Sequence, residues 1–159
     1  TGARCANARG GQWPSRWPMS DPVPVSVVDA NVLLRFLLDD HPELSGKAAV
    51  ILESMETGRG DLHCDPVTLA EVVWVLGSFY KQPNDAVARA LEPIVKAEGF
   101  RMPDKARYIH ALELFGRTLA SFGDACARAA AIDDCEARLY SFDREQSGVN
   151  GVDRREQPE

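Results

Sequence analysis

The chain has 159 residues, 45% of them hydrophobic and 26% charged, which suits a globular protein built around one core. Its formal charge of −6 argues against tight non-specific binding to nucleic acid, because such binders carry a basic surface. No apolar stretch approaches the roughly 20 residues that span a bilayer, and the first segment lacks the apolar centre of a secretory signal.

Residues 1–24 hold Gly10-Gly11 and four prolines without helical or strand periodicity, and are expected to form a disordered lead. Met19 offers a natural start, which would make the upstream residues an over-extended start or an added segment. Trp13 and Trp17 keep open a short partner-binding arm. One ordered domain is expected over residues 25–152, followed by a flexible tail over 153–159.

The valine-rich run at 25–28 reads as a central parallel strand, and Asp29 ends it. A short helix is expected over 31–38. Pro42, suited to a first helical turn, opens another that reaches about residue 56, where Gly58 and Gly60 end it. Residues 62–64 read as a short strand. Thr68 is expected to cap a helix running to Tyr80, with Glu71 three residues on as in a capping box. Trp74 in that helix reads as a core residue, with a base-stacking platform as the other reading. Asn84 caps the next helix, whose Val87, Leu91, Ile94 and Val95 share a face, with Pro93 set to bend or shorten it. A strand is expected over 100–102, and Asp104 opens a helix with Ile109, Leu112, Phe115 and Leu119 at helical spacing. Phe122 and Gly123 form a corner before an alanine-rich helix from Asp124 to about Cys135. Residues 138–142 read as a strand, and the polar end beyond is expected to fray.

Strands alternating with helices imply an α/β fold with a parallel sheet between helices. In such sheets ligands gather at the carboxyl ends of the strands. Asp29 and Asp143 follow strands, whereas Glu71 and Asp124 are expected at helix starts on the same edge. Any one of them alone also reads as a cap or a surface charge. Four together form a costly charged site unless something neutralises them, and a divalent cation is the simplest partner. Magnesium takes such oxygen donors, and a phosphodiester is the natural substrate of a carboxylate-held cation.

The flanking residues carry a resemblance. Val-Val-Asp-Ala-Asn-Val-Leu-Leu-Arg-Phe-Leu-Leu at 27–38 resembles the opening strand-helix motif of PIN-domain nucleases, in particular VapC-type toxins. Leu-Ala-Glu-Val-Val-Trp-Val-Leu at 69–76 is similar to that family's second acidic motif, and Phe-Gly-Asp-Ala-Cys at 122–126 to its third. Tyr-Ser-Phe-Asp-Arg at 140–144 resembles the closing strand motif, with Gly151-Val152 beyond it. The resemblance covers roughly 25–152. It implies a three-layer α/β/α sandwich with a mainly parallel central sheet. Asp29, Glu71, Asp124 and Asp143 would then be catalytic acids that hold Mg2+ or Mn2+, with Asn31 and Ser141 as supporting polar neighbours. It further implies an endoribonuclease of a type II toxin–antitoxin pair that leaves 5′-phosphates, a homodimer, and a small antitoxin that blocks the site; with no export signal visible, a reducing cytoplasm is the expected compartment. One departure stands out: Ala30 occupies a position where the family commonly has threonine or serine, so a hydrogen bond that orients the site is expected to be missing.

Two cations near the proposed site, Arg35 and Arg144, are candidate phosphate contacts, with a salt bridge to an acid of the cluster as the other reading. The pairs Asp39-Asp40 and Asp133-Asp134 read as solvated charges, and the three histidines lack metal-ligand spacing. The cysteines show no CxxC pair, and three lie in apolar surroundings that suit buried thiols. Two other functions stay open. A PIN-fold module that binds without cutting draws support from Ala30. A phosphatase of the haloacid-dehalogenase type would need a second aspartate where this chain has Asn31.

Overall fold

The computed structural model describes residues 23–117, 121–143 and 151–158. The expected lead over 1–22 lies outside these residues, as do Leu119 and Arg144. In chain order the elements are β1 (Val25–Val27), α1 (Ala30–Leu38), α2 (Pro42–Glu56), β2 (Asp61–His63), α3 (Pro66–Trp74) and a π turn (Val75–Phe79). They continue with α4 (Asn84–Lys96), β3 (Phe100–Arg101), α5 (Lys105–Arg117), α6 (Phe122–Asp134), β4 (Arg138–Tyr140) and β5 (Asp153–Arg155).

The expected α/β fold with parallel strands is present, with helices predominating. β1, β2 and β3 form a parallel sheet in that order, in which Val27 pairs with His63 and His63 with Arg101. β4 pairs in parallel with β5, a strand the polar composition of the chain end does not announce. Among the described residues these are two ladders rather than one continuous sheet. Within the described ladder β1 therefore lies at the edge rather than in the expected central place: β2 is its partner among the described residues, and Val25 and Val27 are 61% and 79% exposed.

The core lies between the helices and the three-stranded sheet. Leu33 of α1, Leu69 and Val72 of α3, Leu91 and Val95 of α4, Phe100 of β3 and Leu112 of α5 are fully buried within one cluster. Pro93 does not end α4, which runs on to Lys96. The ammonium of Lys105 closes the end of α4, donating to the carbonyls of Ala97 at 2.6 Å and Phe100 at 2.8 Å. The Ala97 carbonyl, at the C-cap of α4, has no partner within the helix, and a cation there also meets the negative end of the helix dipole.

Several charges expected to face solvent instead hold elements together. Arg107 on α5 reaches Asp134 at 2.6 Å, and His110 Nδ1 lies 2.9 Å from Asp133, so both acids tie α6 to α5. His41 caps α2, its Nδ1 accepting from the Leu44 N–H at 3.3 Å.

The described cysteines are free thiols: Cys64 is buried, Cys126 half-buried and Cys135 exposed. Burial pushes both the Cys64 and Cys126 thiols up to about 11, and the neighbouring charge of Asp65 adds to the effect at Cys64. The thiolate is the nucleophile, so at about pH 8 the reactive fraction of each falls roughly a hundredfold below that of an ordinary thiol. In a Cys5→Ser background, an aromatic disulfide reagent is expected to modify Cys135 at least about ten times faster than the other two. Peptide mapping after a timed quench checks the order.

Candidate functional site

Each acidic position is set by how a strand hands over to a helix. β1 ends at Val27, and the N–H of the next residue, Val28, reaches the His63 carbonyl at 2.9 Å. Asp29 then turns the chain into α1 as its N-cap. Its Oδ1 accepts the Ala30 N–H at 2.7 Å, and its Oδ2 accepts from Asn31 Nδ2 at 3.2 Å. Aspartate is favoured here because its carboxylate satisfies an orphan helix N–H and meets the positive end of the dipole. Asn31 therefore touches Asp29. Ala30, only 2% exposed, offers no hydroxyl, but both Asp29 oxygens already have a donor. The carboxylate is oriented without the side chain whose absence the sequence flags.

Glu71 is not where the capping-box reading puts it. Asp65 is the N-cap of α3, accepting the Val67 N–H at 2.8 Å, with Pro66 as the first helical residue. Thr68 lies inside the helix, and Glu71 falls in its second turn on an exposed face. The helix runs on through the π turn, closed by the Tyr80 N–H bonded to the Val75 carbonyl at 3.1 Å. Such turns within helices occur often at functional sites.

Asp65 is an acid the sequence reading passed over. Because Val27 pairs with His63, Asp29 and Asp65 stand two residues beyond paired positions on neighbouring parallel strands. Each caps the helix that follows its strand. An aspartate directly before Pro66 and an apolar helix is a sequence signal for a cap, and it would have found Asp65.

Asp124 lies in the first turn of α6, which starts two residues earlier than expected. Ser121 is the cap, its Oγ accepting the Asp124 N–H at 3.1 Å. α3 packs against both α1 and α6. Glu71 and the opening turns of α3 and α6 (Pro66, Val67, Ser121, Phe122, Gly123) line one cavity of about 930 Å3. The structure thus draws the elements carrying Asp29, Glu71 and Asp124 together around α3.

Asp143 follows β4, in the second ladder. Its N–H bonds to Ser141 Oγ at 3.1 Å. Ser141 is itself pinned to β5, donating its N–H to the Arg155 carbonyl at 3.0 Å, while its carbonyl accepts from Arg154 at 2.5 Å. Ser141 therefore shapes the turn that presents Asp143, and α6 packs against β4.

Arg35 is not directed at the acids. It pairs with Asp40 at 2.6 Å, and the Tyr80 hydroxyl donates to the same carboxylate at 3.2 Å. That pairing raises the guanidinium's already high pKa and holds the Asp40 carboxyl below the usual range. Arg144, the other candidate phosphate contact, lies outside the described residues. Trp74 corrects another expectation: it is 65% exposed on the cavity wall rather than in the core.

The carboxylate oxygens of these acids suit a hard divalent cation. Among the described residues, however, no three His, Cys, Asp or Glu side chains stand close enough together to hold a metal ion. The donor chemistry fits a cation; the side-chain positions do not form a closed group around one.

The PIN-domain family model matches residues 26–152, and the chain belongs to the PIN-domain family. That is a nuclease-type fold, whose nuclease members generally use divalent metal ions. Neither the curated proteins nor the solved structures give a match to the chain. Among the described residues no helix is long and apolar enough to cross a membrane.

Proposed function

We propose that this protein is a metal-dependent endoribonuclease, the toxin of a type II toxin–antitoxin pair, acting in the cytoplasm on RNA phosphodiester bonds. The observation that carries this reading is the handover geometry. Asp29 ends a strand whose parallel neighbour leads into α3, and Glu71 on α3 shares a cavity with the opening turn of α6, which bears Asp124. Asp29, Glu71, Asp124 and Asp143 would hold Mg2+ or Mn2+. When bound, the cation offsets phosphodiester charge and makes water a competent nucleophile near neutral pH.

The chain's own residues do the positioning. The Ala30 N–H and the Asn31 amide fix both Asp29 oxygens, so that carboxylate does not need to reorganise. Ser141 sets the turn that offers Asp143. The acidic edge also suits a small antitoxin that supplies a basic side chain, and a homodimer goes with this reading.

A second reading is a PIN-fold module that binds RNA without cutting it. The scatter of the acids, with no three grouped among the described residues, favours it. One experiment separates the two: incubation of a mixed RNA pool with Mg2+ or Mn2+, followed by ligation of an adaptor that requires a 5′-phosphate. Metal-dependent ligatable ends are expected, and EDTA should remove them. RNA left intact under every metal condition would leave the binding module.

A further inference from the structure

One face of α3 and the π turn is buried through Leu69, Val72, Val73 and Leu76, but the opposite face leaves large apolar groups in solvent. Val67 is 74% exposed and Trp74 65%. Exposing an indole forfeits the burial free energy of one of the largest apolar side chains. Glu71 and Trp74 are three residues apart, so they are neighbours on the helix surface, and both line the same cavity. Tyr108 and the edge-to-face pair of Phe115 and Phe122, with ring centroids 5.7 Å apart, line it too.

The electrical character of this cavity selects among occupants. None of its described lining residues is Lys, Arg or His, and Glu71 is the one carboxylate. A phosphate is repelled from such a floor, whereas a flat neutral ring is not. Ser78 and Gln82 on the wall carry neutral donors and acceptors of the kind that read base edges. The occupant must also bring a phosphodiester to Glu71. A nucleobase flanking that bond does so, because the phosphate stays at the rim while the base enters.

We infer that Trp74 is a stacking platform for an unpaired nucleobase next to the scissile phosphate, with the α3–α6 cavity as the base subsite of a single-stranded RNA. The inference rests on RNA being the substrate. Unpaired bases stack on aromatic side chains with little regard to sequence. The platform therefore positions substrate and favours flexible, single-stranded segments over duplex.

The test uses a full-length chain with Trp13→Phe and Trp17→Phe, leaving Trp74 as its sole tryptophan. It is titrated in magnesium buffer with a short single-stranded 2′-O-methyl oligonucleotide whose intact length is verified on a gel. Saturable quenching of Trp74 fluorescence is expected, while an abasic oligomer of equal length leaves the emission unchanged. In anisotropy titrations, Trp74→Ala should weaken binding about 10-fold and Trp74→Phe by less. Equal quenching by the abasic oligomer, or unchanged affinity in Trp74→Ala, overturns the inference. So does an emission blue-shift that grows with protein concentration alone, which assigns the face to a second copy of the chain. Quenching without any RNA cleavage would sink the nuclease reading and leave the platform standing; cleavage with Trp74→Ala affinity intact would do the reverse.

Discussion

Replacing Asp29 with asparagine is expected to slow metal-dependent RNA cleavage by at least about 100-fold, because a carboxylate that neutralises a site cation contributes several kcal/mol to the transition state. The substitution is chosen for what it preserves. Asparagine is as good an N-cap as aspartate, and its amide oxygen can still accept the Ala30 N–H that Oδ1 accepts at 2.7 Å. The loss falls on charge and on the 3.2 Å contact from Asn31, which would meet an amide nitrogen instead of an oxygen. Thermal stability should stay within about 1 kcal/mol of the parent, whereas Asp29→Ala would also lose the cap, worth roughly 1 kcal/mol. Initial cleavage rates at saturating metal, paired with melting curves, separate the two contributions. Equal rates for parent and Asp29→Asn would end the catalytic role of this residue.

The largest expected effect on stability is that of Phe100→Ala. Phe100 is fully buried in β3, pairs across the sheet with Leu62, and belongs to the cluster that also holds Leu91 and Val95. Removing a buried phenyl ring forfeits its transfer free energy and leaves a cavity, together about 3–5 kcal/mol. For a domain of this size that corresponds to a fall in melting temperature on the order of 10 °C. The Phe100 main chain, whose carbonyl accepts from Lys105, is untouched by the change. Urea unfolding of the two proteins measures the difference directly. A cost below about 1 kcal/mol would show that the core closes over the gap, contrary to the close packing described.

Much of this architecture is legible in the chain because local signals agree. The valine run, Pro42 before an apolar repeat, and the shared face of Val87, Leu91, Ile94 and Val95 each predict the element observed, although Asn84 is the first residue of α4 and Pro83 its N-cap. The sequence misleads where two signals compete. Asp65-Pro66 and Thr68 both suit a helix start, and the pair with Pro as the first helical residue prevails, which moves Glu71 from the first turn to the second. Asp65 goes unseen as a cap for the same reason, and its place two residues beyond a strand paired with β1 emerges only from the long-range strand pairing. Trp74 reads as core because hydrophobicity reports size and not direction; only the packing of α3 shows which face points outward. Arg35 looks like a phosphate contact by its spacing from Asn31, but Asp40, held also by Tyr80 from 40 residues away, takes it. The exposure of β1 is set by which strands pair, and that long-range choice leaves no trace in a four-residue valine run.

In the proposed nuclease, carboxylates from separate elements serve one cation site. Calorimetric titration of Mn2+ into the parent chain and into the Asp29→Asn, Glu71→Gln and Asp124→Asn proteins measures whether they do. Saturable binding by the parent, weakened at least about 10-fold by each of the three substitutions, is the predicted result. A binding curve that all three leave unchanged, or no binding by the parent at all, would contradict the claim.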